Sequence, residues 1–117
     1  ATPDGTGVRD YIHVSDLAAA HVHALEKLIA EPAASHIMNC GYGSGFSVRQ
    51  VLDAVDRATN LKIERRFEDR RAGDPDALIA DNSKILATLP WRPQRGNLDL
   101  IVKDALAWER VLAERSK

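Results

Sequence analysis

The chain has 117 residues, 44% hydrophobic and 28% charged, with 16 Lys and Arg against 17 Asp and Glu and a net charge of −1. That length allows one domain able to hide roughly two-thirds of its unfolded surface, and the composition excludes a disordered chain. The charge balance argues against generic nucleic-acid binding and against an anionic membrane surface; no apolar run approaches the ~20 residues of a membrane span and no signal peptide opens the sequence.

In chain order, Ala1-Thr2-Pro3-Asp4-Gly5 is turn chemistry without an initiating Met, as if the chain began inside a larger protein. Val8 to Val14 reads as a strand, with Val8, Ile12 and Val14 on one face and Arg9, Tyr11 and His13 on the other. Asp10 interrupts the apolar face and needs a partner or an edge. Ser15-Asp16 offers a cap for a helix over 17–30, whose Leu17, Ala20, Ala24 and Leu28 form one buried face. Glu31-Pro32 ends it. His36 to Cys40 is a short strand candidate running into Gly41-Tyr42-Gly43-Ser44-Gly45.

Ser47 and Gln50 make a capping box for a helix carrying Val48, Val51, Leu52 and Val55 and fraying near Asn60. Lys62 to Glu68 reads as a polar edge strand, Ala72 to Pro75 as a turn, and Ala77 to Ala80 as a brief extended segment. Asp81 or Asn82 caps a short helix ending near Leu89-Pro90. Asn97 caps the last helix, where Ile101, Ala105, Trp108 and Leu112 recur at helical spacing. These elements predict a mixed α/β (α+β) domain of about four helices and three or four strands, too short and polar for a buried parallel sheet.

Few motifs carry chemistry unaided. Gly41, Gly43 and Gly45 alternate and lack the spacing of a dinucleotide loop, so they read as a turn feeding the Ser47 cap. His21 and His23, two apart on a helix, cannot share a metal, and neither His13 nor His36 has a ligand at suitable spacing. Cys40, the single cysteine, allows no internal disulfide, fits a reducing, cytoplasmic compartment, and reads as a small hydrophobe rather than a nucleophile. Trp91 and Trp108 read as core. The arginines offer more. Planar guanidinium groups suit phosphate oxygens: Arg9 shares a strand face with Tyr11, Arg70 and Arg71 precede the Ala72-Gly73-Asp74 turn, and two of them converging could offset a diphosphate, with Asp74 able to accept from ribose hydroxyls. Taken alone, though, Arg65, Arg66, Arg70 and Arg71 read as solvated partners of Glu64, Glu68 and Asp69.

The run Asp4-Gly5-Thr6-Gly7-Val8-Arg9-Asp10-Tyr11-Ile12-His13-Val14, followed by Asp16-Leu17 and Ala20-His21, closely resembles the segment that opens the C-terminal part of UDP-glucose 4-epimerases, which are extended short-chain dehydrogenase/reductase proteins. Met38-Asn39-Cys40-Gly41, Gly45-Phe46-Ser47-Val48, Arg70-Arg71-Ala72-Gly73-Asp74-Pro75, Ala80 to Lys84 and Leu89-Pro90-Trp91-Arg92-Pro93 continue the match in order. The resemblance implies that residues 1–117 form the small substrate-binding lobe, without the NAD-binding Rossmann lobe, and that the catalytic and cofactor residues lie outside this chain. It implies that the whole enzyme interconverts UDP-glucose and UDP-galactose through an NAD-dependent 4-keto intermediate, as a homodimer, whereas this chain alone is inactive. Here the UDP-sugar would meet Arg9 and Arg71 at its diphosphate, the Arg71-Ala72-Gly73-Asp74 loop with Asp74 on the ribose, Tyr11 at the nucleotide end, and Leu78 near the sugar. No metal is implied. Alternatives are a non-catalytic sugar-nucleotide-binding module, a self-associating module, or the same lobe of a related nucleotide-sugar epimerase or dehydratase.

Overall fold

The computed structural model describes residues 2–117. Among the described residues four helices accompany a minimal sheet: β1 (Val8–Arg9), α1 (Val14–Ala30), β2 (Phe46–Ser47), α2 (Val48–Thr59), β3 (Ala77–Leu78), α3 (Ser83–Thr88) and α4 (Leu98–Arg115). The sheet order is β2-β1-β3, with β1 antiparallel to β2 and parallel to β3. The expected mixed architecture of four helices and short strands is present.

The strand expected over Val8 to Val14 stops at Arg9, because the chain turns into a helix cap. His13 has extended backbone, and its Nδ1 accepts the Ser15 N–H at 3.0 Å. That nitrogen is as far along the side chain as an Asn oxygen, so it caps in the same way, in place of Ser15-Asp16. Since Nδ1 accepts, Nε2 carries the ring proton and donates to Asp104 Oδ2 at 2.7 Å, tying α1 to α4.

Asp16 turns inward instead. Its carboxylate accepts the Tyr42 hydroxyl at 2.6 Å and the Gln94 and Arg95 amides at 3.1 and 2.9 Å, while its carbonyl accepts the Trp91 indole N–H at 2.9 Å. Burial works against the charge, but these donors hold the carboxyl below its usual value. Burial and Asp16 together push Tyr42 up to about 12, so its hydroxyl stays a donor, and it also accepts the His13 N–H at 3.0 Å. Around this network Ala20, Ile85, Leu89 and Trp91 form one core, with Met38 and Cys40 against it. The stretch 36–40 packs there without joining a strand ladder.

The second core joins α2 and α4 through Ala54, Leu98 and Val102. Ser47 and Gln50 form the expected capping box, and Asn60 ends α2 in left-handed geometry. The stretch 62–68 has no regular secondary structure and pairs with no strand; Arg65 anchors it to Asp53 and Asp56 of α2. On α4 the buried residues are Leu98 and Val102, not the expected Ile101, Ala105, Trp108 and Leu112; Trp108 is 50% exposed beneath Arg115. Both stripes have helical spacing, and contact with Ala54 decides between them. On α1 the expected face is right at Ala20 but Leu28 is exposed. For α3, Asp81 Oδ1 accepts the Ser83 amide at 3.1 Å, whereas Asn82 donates to the Gly41 carbonyl at 3.0 Å.

The accessible surface is 8506 Å², against roughly 6,300 Å² for a compact monomer of this mass. About 55% of the unfolded surface is therefore hidden, short of the two-thirds the length allows. The radius of gyration of 17.2 Å likewise exceeds the about 13 Å of a compact domain.

Replacing Tyr42 by Phe removes a donor to Asp16 and an acceptor for the His13 amide. Urea unfolding should show a loss of about 1–3 kcal/mol, the usual cost of stranding buried polar groups.

Candidate functional site

The central strand places Arg9. Val8 pairs with Ser47 on one side and Ala77 on the other, and Arg9 with Phe46 and Leu78. Two residues make a weak ladder, and side-chain bonds reinforce it. Asp10 accepts amide hydrogens from Tyr42 and Gly43 at 3.0 Å each and from Ala80 at 3.3 Å, clasping the loops on both sides of β1. Gly45 lets one loop close in: a Cβ there would lie 2.7 Å from Val8 Cγ1 and 2.8 Å from the Arg9 carbonyl oxygen. Arg9 is steered further by its Nη1, which donates to the Val8 carbonyl at 2.7 Å.

Its Nη2 meets Asp74 Oδ1 at 2.6 Å, and Arg71 Nη2 reaches Asp74 Oδ2 at 3.4 Å. One carboxylate thus spans two guanidinium groups. Arg9 is 28% exposed and Arg71 86% exposed, so the first is held and the second stands in water. The turn that carries Asp74 needs Gly73, whose φ is +80°. Arg70 secures that turn by donating to the Asp74 carbonyl at 2.8 Å and pairing with Asp76.

Beside this cluster lies a groove of about 700 Å³, walled by the Gly5–Gly7 turn, the start of α2 and the stretch 65–71. That is within the range that holds small ligands. Asp4 builds one wall by accepting the Ser47 hydroxyl at 2.6 Å and the Thr6 hydroxyl and amide at 2.7 and 2.9 Å. These bonds favour the ionised form and lower its carboxyl to about 2. The other wall carries Phe67 under the Arg49 guanidinium, 4.6 Å from the ring centroid.

Of the expected residues, Arg9, Arg71 and Asp74 come together, with Asp74 between the arginines. Ala72 and Gly73 form the exposed turn that joins Arg71 to Asp74. Leu78 is 62% exposed and in register with Arg9. Tyr11 is half-buried and lies beyond the end of β1, so it does not share a strand face with Arg9 as expected. Arg70 proves to brace the turn rather than face Arg9, and Arg49 and Phe67 join the site without a sequence expectation. The available signal was a lone aromatic in a charged stretch.

The glycine loop does not fit a dinucleotide. A Cβ at Gly41 would come within 2.6 Å of Asp10 Oδ2 and 2.8 Å of the Ala80 Cβ, so Gly41 and Gly45 are filled by close packing against β1 and its neighbours rather than forming a phosphate cradle. Among the described residues no group of three His, Cys, Asp or Glu is set to hold a metal. Burial, with Asp10 and Asp16 nearby, pushes the Cys40 thiol up, which keeps it protonated and packed against the core.

Residues 2–41 match the NAD dependent epimerase/dehydratase family. Over 113 residues the chain is 50% identical to a UDP-glucose 4-epimerase of Azospirillum brasilense, covering 97% of this chain and 32% of that protein. It is similar to the UDP-glucose 4-epimerase of Stenotrophomonas maltophila with bound NAD and formylated UDP-arabinopyranose, with a TM-score of 0.87, 38% identity, and coverage of 97% of this chain and 33% of that one. The Bifidobacterium longum enzyme in complex with NAD+ and UDP gives a TM-score of 0.80 at 39% identity, over 93% of this chain and 32% of that one. The chain spans about a third of the length of the curated relatives it matches.

Asp4 supplies a pH test of the groove wall. Its carboxyl lies below the usual value of 3.8 in the folded state, so its contribution to stability is complete above about pH 4 and is lost as pH falls toward about 2. Acid unfolding of Asp4→Asn should show a shallower fall across that window than the wild type, measured by circular dichroism.

Proposed function

We propose that this chain, related to UDP-glucose 4-epimerases over nearly its whole length, forms the part of such an enzyme that holds the UDP end of the sugar nucleotide. The observation carrying this reading is the meeting of Arg9 and Arg71 at one carboxylate, at 2.6 and 3.4 Å. Two guanidinium forks aimed at a single cluster of oxygens suit a diphosphate, whose charge they offset and whose oxygens they bind in pairs. The groove alongside gives room for the attached groups. In this reading Leu78, in register with Arg9, would lie near the sugar, and its bulk would limit N-substituted sugars. Tyr11 would pack at the nucleotide end.

In this reading the complete protein uses NAD and interconverts UDP-glucose and UDP-galactose. In the same reading NAD and the catalytic groups would come from residues outside these 117; the glycine loop here is closed by its own packing.

UDP binding tests the reading. Arg9→Ala and Arg71→Ala should each weaken UDP affinity about tenfold or more, the scale of a lost charge-assisted hydrogen bond; calorimetry reads it directly. Unchanged affinity in both variants would overturn the assignment.

A second reading, self-association, is favoured by the excess surface and by the exposed apolar row on α1, which includes Val22, Leu25 and Ile29. Light scattering of these 117 residues should then show mass rising with concentration, and Leu25→Glu should reverse the rise. A monomer up to high concentration would exclude it.

A further inference from the structure

We propose that Asp74 is a resident counter-ion which a ligand must displace from Arg9 and Arg71, and that this displacement makes the site select against bare anions. The proposal rests on the diphosphate reading above and adds to it a residue that sets selectivity.

The geometry separates the Asp74 side chain from its backbone. The carboxylate gives one oxygen to each guanidinium, Oδ1 to Arg9 at 2.6 Å and Oδ2 to Arg71 at 3.4 Å. The backbone is held independently. Arg70 donates to the Asp74 carbonyl at 2.8 Å, and the Asp74 amide reaches back to the Arg71 carbonyl at 3.4 Å across the Gly73 turn. Asp74 is 38% exposed, so rotation about its side-chain bonds can free both arginines while the turn stays in place.

Charge makes the exchange selective. With Asp74 seated, two positive groups share one negative group, and any incoming anion must push out a like charge. Inorganic pyrophosphate brings no ribose hydroxyls to the displaced carboxylate and, near neutral pH, at most a P–OH, so most of the repulsion remains. A nucleotide carries ribose hydroxyls beside its phosphates, and these can donate to a carboxylate that has swung aside. A bare arginine pair would bind any abundant phosphate; an arginine pair already neutralised binds best the ligand that also satisfies the neutraliser. The contacts are partly exposed, so the discrimination is a few-fold.

The experiment titrates sodium pyrophosphate and UDP separately into wild type and Asp74→Asn, at low and at physiological ionic strength. The amide keeps the shape of the turn and removes the charge. Pyrophosphate affinity should rise about two- to fivefold in Asp74→Asn, the range for loss of an exposed charge contact, and the rise should shrink with salt. UDP affinity should gain less or fall, so the UDP-to-pyrophosphate ratio drops. Asp74→Glu, which restores the charge, should return the ratio toward wild type; thermal unfolding confirms that each variant is folded. If the wild type binds UDP but Asp74→Asn binds pyrophosphate no better, or more weakly, the carboxylate only orients the arginines and the proposal is overturned. If the wild type binds neither anion, the diphosphate reading falls, and the proposal with it.

Discussion

A two-residue strand cannot hold its own position, and the candidate site depends on the carboxylate that does so. Asp10 follows Arg9 directly, and successive residues of an extended chain face opposite sides. Asp10 gathers the amides of Tyr42, Gly43 and Ala80 on its side, which leaves Arg9 aimed across the strand at Asp74. Each amide accepted by the carboxylate replaces a ladder bond that the truncated strand does not make. The absence of side chains at Gly41 and Gly45 belongs to the same construction, because a methyl group at either would strike the clasp or β1 itself.

The same device recurs at Asp16, in the first turn of α1. Asp16 takes the Tyr42 hydroxyl and two amides from the 94–95 loop, and Tyr42 connects it to His13. Residues 10 to 16 therefore fasten the segment around Tyr42, the loop after Trp91 and, through His13 and Asp104, the last helix. Carboxylates accepting backbone N–H groups do the work that a larger sheet would do in a bigger domain. This fits a chain with two small cores and more exposed surface than its mass requires.

What could be read from the sequence follows the range of the interactions. Helices with local signals were legible: the Ser47–Gln50 box, the Asn97 cap and the Asn60 terminus depend on neighbours within a few residues. The mixed architecture was legible from the element pattern, but the Arg9, Arg71 and Asp74 grouping only through resemblance, since 65 residues separate Arg9 from Asp74 and no local pattern links them. The misread elements turn on distant partners. Val8 to Val14 alternates like a strand, yet His13 finds Asp104 and Tyr42 and becomes a cap instead. Lys62 to Glu68 looks like a polar strand, yet Arg65 finds the acids of α2 and no strand lies beside it. On α4 two apolar stripes coexist, and only the position of Ala54 selects the buried one.

The carboxylates are placed differently in the two halves of this arrangement, and that difference separates structure from site. Asp16 is buried, and its bonds go to neutral donors, so its charge is spent on holding backbone. Asp74 is partly exposed and its bonds go to two cations, one of them almost wholly in water. A buried carboxylate with neutral partners is costly to move, because its donors would be stranded. A carboxylate at the surface between two arginines exchanges partners at little cost, because water and an incoming anion can each replace what is lost. The first kind of carboxylate holds backbone in place; the second leaves the arginines available.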